Sequence, residues 1–161
     1  MKFIKELIPY LVIVLIVISI RTFIVTPIIV QGESMVPTLD GKEIMILKKY
    51  DTDYERFDIV VVNKSVEGDN LIKRVIGLPG DTIKYRKNKL YINGEEIEDI
   101  YAYGETGTIK EITLEEDEYY LMGDNREISL DSRTLGVIKK KEIEGTVGIV
   151  LFPFDKFGKI K

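Results

Sequence analysis

The chain has 161 residues, none of them cysteine or histidine, and both absences remove chemistry. Without cysteine there are no disulfides, thiol nucleophiles or thiolate metal sites. Without histidine the commonest zinc ligand and the usual general base are missing. A site of carboxylates alone is still open to the chain, but no run spaces Asp and Glu like a calcium loop. No metal and no cofactor is expected. If a hydroxyl in this chain acts as a nucleophile, its proton cannot go to an imidazole, and a lysine becomes the leading candidate base.

Positive charge is scarce where a nucleic-acid binder needs it. Lys2, Lys5 and Arg21 against Glu6 give residues 1–27 a net +2, which leaves −6 for the rest of a chain whose total is −4. An acidic body lacks the basic footprint that displaces counterions from a phosphate backbone, so nucleic acid is not an expected partner.

Only one apolar run approaches membrane length. Leu7 to Ile20 reads LIPYLVIVLIVISI without a charge. Crossing about 30 Å of hydrocarbon takes about 20 helical residues. Continuing through Arg21 into Thr22-Phe23-Ile24-Val25 supplies them, since an arginine near a helix end reaches the headgroups. Pro9 is expected in the first turn, where its missing N–H costs little, and Pro27 is expected to stop the helix. A secretory signal peptide opens in the same way, but Ser19-Ile20-Arg21 and Thr22-Phe23-Ile24 put bulky or charged residues where a small-x-small cleavage site would lie. The reading is therefore an uncleaved signal anchor over residues 7–26. Lys2 and Lys5 place residues 1–6 in the cytoplasm by the positive-inside tendency, and residues 27–161 form an extracytoplasmic domain.

That domain reads as mainly β. Short runs rich in Val, Ile and Tyr, broken by Gly, Asn and Asp, predict strands at Ile28–Val30, Glu43–Leu47, Asp58–Val62, Leu71–Ile76 and Thr146–Leu151. The all-apolar run Ile59–Val62 predicts a strand covered on both faces. Ile83-Lys84-Tyr85-Arg86 and Leu90-Tyr91-Ile92 flank a turn, and Asn93-Gly94 opens another. Residues 84–118 are read as a small β excursion from the main body.

Three clusters carry chemistry. Ser34 lies shortly after the anchor, with Gly32 letting the backbone bend before it and Pro37 fixing the chain after it. Lys73 stands in an apolar strand, an unusual place for an ammonium group. With alternating side chains it shares a face with Leu71 and Val75 while Arg74 points the other way. It is either an edge-strand lysine that blunts aggregation or a desolvated amine able to take the Ser34 proton. Lowering a lysine pKa from about 10.4 to about 8 needs roughly 3.3 kcal/mol, which burial can supply. The third cluster, Gly123-Asp124-Asn125-Arg126 through Arg133, is a polar loop with apolar residues inside it. Its packing predicts partners for its charges.

Taken in order, these clusters resemble the bacterial type I signal peptidases. The matching residues are Gly32-Glu33-Ser34-Met35-Val36-Pro37-Thr38-Leu39, Arg56-Phe57-Asp58-Ile59-Val60-Val61-Val62, Lys73-Arg74-Val75-Ile76-Gly77-Leu78-Pro79-Gly80-Asp81, and Gly123-Asp124-Asn125-Arg126 with Ser129, Asp131, Ser132 and Arg133. Arg21-Thr22-Phe23 and Pro27 match the family's anchor exit, and the short excursion matches compact Gram-positive-type members. The resemblance implies a mainly β catalytic domain behind a transmembrane helix, removing signal peptides from translocated preproteins at the outer face of the cell membrane. It implies Ser34 as nucleophile, Lys73 as general base, Ser129 hydrogen-bonded to Lys73, an Asp131–Arg133 ion pair supporting the loop, and Met35 shielding the site. Some members add an oxyanion donor from a hydroxyl two residues before the serine. Here that position is Gly32, so a second donor has to be a backbone N–H or water. The family's apolar surface resting on the bilayer would draw on Phe23, Ile24, Val25, Ile28 and Ile29. Substrate would add as a strand near Ile28–Gly32, with small residues at the first and third positions before the cut.

Overall fold

The computed structural model describes residues 2–66 and 69–160. A helix, α1 (Lys2–Phe23), leads directly into the first strand, and everything after it is built on β-structure. Its stretch Glu6–Phe23 has a mean hydropathy of 2.0 and is wholly exposed, the one helix among the described residues long and apolar enough to cross a membrane. Two expectations about its prolines are corrected. The helix begins at Lys2, so Pro9 is its eighth residue rather than part of its first turn. It ends at Phe23, before Pro27, which lies inside β1 (Val25–Ile29). That strand is at a sheet edge, where a residue with no N–H to donate is tolerated.

The strands that follow are β2 (Ile44–Lys48), β3 (Ile59–Val66), β4 (Asp69–Gly77), β5 (Thr82–Arg86), β6 (Lys89–Ile92), β7 (Glu95–Ile97), β8 (Ile109–Thr113) and β9 (Glu118–Met122). A short helix, α2 (Ser132–Leu135), precedes β10 (Ile138–Lys139), β11 (Ile143–Phe152) and β12 (Gly158–Lys159). The main sheet runs β1-β2-β11-β3-β4-β9-β10, with β12 also on β11, and these neighbouring strands pair antiparallel. The second sheet runs β7-β6-β5-β8. It spans Thr82–Thr113, against the 84–118 read from the hairpin pattern, and the chain is back in the main sheet at Glu118. Both hairpin turns have two central residues at positive φ, Lys87 and Asn88 (51° and 63°) and Asn93 and Gly94 (52° and 87°). Such turns match the twist of the strands they join.

Alternation sorts the side chains into three cores. Ile59 and Val61 pack with Val30, Met35, Leu39 and Met45, while Val60 and Val62 pack on the other face with Tyr54, Val75 and Leu121. The β3 run is thus covered on both sides. A third cluster joins β4 and β9 to the second sheet through Ile76, Met122, Ile83, Tyr85 and Leu90. One polar tie beside this cluster is Arg56, which bonds Asp81 at 3.0 Å and the Ile76 carbonyl at 2.6 Å.

The exposed apolar surface differs from the expected set. Phe23, Ile24 and Ile29 are exposed, but Ile28 packs against the Met35 core and Val25 is half-buried. Phe152, Phe154 and Phe157 are exposed in addition, and the register puts Ile29, Ile44 and Phe152 in one row across β1, β2 and β11.

Candidate active site

Ser34 lies in a turn just beyond β1, half-buried. The turn is pinned at both ends: Val36 N–H donates to the Glu33 carbonyl at 3.2 Å and Leu39 N–H to the Met35 carbonyl at 2.9 Å. Gly32 enters it at φ +80° with nothing within 4 Å of where a Cβ would stand, so its need is conformational rather than steric. Met35 is only 2% exposed and belongs to the core under the loop, so it anchors the turn that carries Ser34.

Lys73 approaches from β4. This strand is interior, between β3 and β9, so the alternative of an edge lysine is overturned. Its Nζ donates to Ser34 Oγ at 2.8 Å and to the Ile72 carbonyl at 2.9 Å. Burial strips water from the ammonium and lowers its pKa to about 8, with Asp131 and Asp124 opposing more weakly. A lysine in this state is partly neutral near physiological pH, and its lone pair faces a primary alcohol. This pair can pass a proton from hydroxyl to amine as the oxygen attacks an electrophile.

The loop after β9 closes on this pair. Asn125 N–H donates to the Ser34 carbonyl at 3.0 Å. Asp131 caps α2 and holds Arg133 with bonds of 2.8 and 2.9 Å, while one of its oxygens also accepts the Gly123 N–H at 3.1 Å. Ser129 departs from expectation. Its Oγ is buried without a hydrogen-bond partner among the described residues, and the lysine is held by the Ile72 carbonyl instead. The Ser129 hydroxyl rests on Gly123, where a Cβ would stand 2.2 Å from it and 2.5 Å from the Ser34 carbonyl oxygen. Gly123→Ala must therefore push the loop off Ser34. Loss of most activity with a destabilisation of about 1–3 kcal/mol is expected, checked by turnover and denaturant unfolding of the same preparation.

Charges that the sequence left without partners are paired here. Arg74, on the far side of β4 from Lys73, makes a two-pronged bond to Asp124 at 2.8 and 2.6 Å, with side chains 3% and 0% exposed. Thr38 of the Ser34 turn donates to the same carboxylate at 2.5 Å. Tyr101 lies over the Arg74 guanidinium, 3.6 Å from ring centre to carbon. An arginine inside an apolar strand was a visible signal that a buried carboxylate had to meet it. Which carboxylate depended on how the loop folds.

A groove of about 740 Å³ lies between the β1 edge and β4, lined by Pro27, Ile28, Ile29, Gly32, Leu71 and Ile72 among others. Its lining reaches Gly32, two residues before Ser34, and Ile72, the residue before Lys73.

A family model described as signal peptidase, peptidase S26, matches residues 3–152. The chain belongs to the signal peptidase I family. It is 39% identical to a signal peptidase I of Bacillus amyloliquefaciens, with 92% of this chain and 87% of that protein covered. It is 40% identical to signal peptidase I P of Bacillus subtilis subsp. natto over 91% of this chain and 87% of that one. A crystal structure of a signal peptidase I from Enterococcus faecalis V583 aligns at 33% identity and a TM-score of 0.53, covering 60% of this chain and 97% of that one. As a member of the signal peptidase I family, the chain is a serine peptidase, a hydrolase.

Proposed function

We propose that the chain is a membrane-anchored endopeptidase that removes N-terminal signal peptides from exported preproteins, with Ser34 as nucleophile and Lys73 as general base. The observation that carries this reading is the 2.8 Å contact between Ser34 Oγ and the amine of a desolvated lysine. With Lys73 neutral the contact runs in the reverse sense. The amine accepts the Ser34 proton while Oγ bonds to the scissile carbonyl carbon, and the oxyanion takes the Ser34 backbone N–H. The lysine then protonates the departing amine, leaving an acyl-enzyme. Lys73, neutral again, deprotonates a water that attacks the ester carbonyl, then returns that proton to Ser34 Oγ as the C–Oγ bond breaks, and the signal peptide leaves with a free carboxylate.

Around this step the remaining residues have supporting roles. Asp131 and Arg133 brace the loop carrying Gly123 and Asn125. Ser129 is a reserve hydrogen-bond partner for the lysine once substrate enters. The groove beside Ile28–Gly32 takes the residues before the cut as an added strand, and its shallow walls favour small side chains at the first and third positions. Residues 7–23 anchor the chain, residues 1–6 stay in the cytoplasm, and the body from β1 onward works outside, with the second sheet over Thr82–Thr113 as a subsidiary β unit. Phe23, Ile24, Ile29 and the phenylalanines at 152, 154 and 157 rest on lipid.

The test is cleavage of a preprotein by the purified full chain in detergent, with the product's new N-terminus read by mass spectrometry. A single cut after a small residue is expected, lost when the first or third position before it carries a bulky side chain. A preprotein left intact would overturn the reading. A reporter fused to the C-terminus is expected to be protease-accessible outside spheroplasts, and protection there would overturn the topology.

A further inference from the structure

The second sheet contributes no residue to the Ser34–Lys73 contact, yet one of its connections crosses the loop that holds Ser34. Between β7 and β8 the backbone passes beside Asp124 and Asn125. Tyr103 N–H donates to the Asp124 carbonyl at 2.8 Å and Arg126 N–H to the Tyr103 carbonyl at 2.9 Å, a parallel bridge of Tyr103 with Asn125. Asn125 in turn gives its N–H to the Ser34 carbonyl. The same strap supplies Tyr101, which covers Arg74, and Arg74 holds Asp124, the acceptor of Thr38 in the Ser34 turn. Two chains of contact therefore run from the strap to the serine loop.

What fixes the strap is Arg126. Its guanidinium is fully buried and four of its five N–H groups are committed: Nε to the Gly123 carbonyl at 3.1 Å, Nη1 to Tyr85 Oη and to Thr106 Oγ1, both at 2.8 Å, and Nη2 to Asp99. Tyr85 Oη donates to that Asp99 carboxylate as well, and burial pushes its phenol well above the ordinary tyrosine range, keeping it a donor. Tyr85 belongs to β5, Asp99 and Thr106 to the strap, and Arg126 to the loop on the main sheet. A planar fork with its donors used on three segments cannot shift without breaking bonds to each.

We infer that Asp99, Tyr85 and Arg126 are positioning residues for the peptidase reaction. Through Tyr103 and Asn125 they fix where the Ser34 backbone stands, and so the aim of its hydroxyl at the scissile carbonyl. This rests on Ser34 being the nucleophile. A misaimed nucleophile lowers the rate of the chemical step, whereas the groove that binds substrate is untouched.

The test compares wild type, Asp99→Asn and Tyr85→Phe, all as full chains in detergent on one preprotein. Wild-type turnover and its absence in Ser34→Ala establish the nucleophile independently. Asp99→Asn is expected to lower kcat about tenfold with KM changed less than twofold, and Tyr85→Phe to lower kcat about threefold. The pH at half-maximal rate stays that of wild type, because Lys73 keeps its surroundings. Hydrogen exchange at the Asn125 amide accelerates, while that of the β3 and β4 amides does not. An unchanged kcat in both variants would overturn the inference. So would a loss explained by a smaller fraction of titratable active sites, or one confined to KM. If Asp99→Asn does not fold, Tyr85→Phe decides by the same criteria.

Discussion

Lys73→Ala is expected to lower kcat by about 10²–10⁴-fold, the range typical of a lost general base, and Ser34→Ala to remove turnover altogether. KM should change little in either, since neither side chain lines the groove beside Ile28–Gly32. In wild type the rate should rise with pH through about 8, where Lys73 loses its proton, and level off above it. Near pH 7 only about one-tenth of the enzyme then holds the neutral amine. A rate flat from pH 6 to 9, or an active Lys73→Ala, would put the base elsewhere. The same pKa has a stability signature of definite sign. The folded value near 8 lies below the unfolded value of about 10.4, so the folded protein binds fewer protons between them. Wild type is least stable, relative to unfolding, below about pH 8 and gains as pH rises through this window, by about 3 kcal/mol in total. Lys73→Met removes the buried charge and should be more stable than wild type at pH 7, with the difference shrinking by pH 10. Denaturant midpoints in detergent at the two pH values measure it, and a variant less stable than wild type at both would show that burial does not strain the lysine.

Much of this was legible in the sequence because it is local. The short β-branched, apolar runs at Ile59–Val62 and Leu71–Ile76 read as strands on their own, and a lysine in the second of them already stood out against its neighbours. Ser34 and Lys73 are 39 residues apart. The distance between them is a property of the fold, but each site's oddness was visible alone. The misses have a common physical origin. Ser129 could be recognised as belonging near the lysine, but a hydroxyl's direction depends on a fraction of a turn of backbone, and Gly123 takes up that space. Pro27 reads as a helix stop until the edge position of β1 is known. Arg126 finds Asp99, 27 residues earlier in a stretch without strand pattern, so nothing at either position announced the other. Paired charges at long range are the part of a fold that alternation does not encode.

Asp124→Ala is expected to be among the most destabilising single changes, by about 3–5 kcal/mol, because it leaves the Arg74 guanidinium buried without its carboxylate. The Phe57 carbonyl at 2.7 Å and the Tyr101 ring remain, but neither carries a negative charge. Activity should fall with it, since Thr38 loses the acceptor that ties the Ser34 turn to the loop. The two losses can be separated. Replacing both partners, Arg74→Met with Asp124→Leu, exchanges the ion pair for apolar volume, and such exchanges are often close to neutral for stability. The double variant should recover most of the unfolding free energy lost in Asp124→Ala while turnover stays low, because an apolar pair gives Thr38 nothing to bond. Recovery of both together would mean that Asp124 acts through overall stability alone. Recovery of neither would mean that the Arg74–Asp124 pair is irreplaceable for folding, and that the approach of β4 to the Ser34 turn depends on charge rather than on packing.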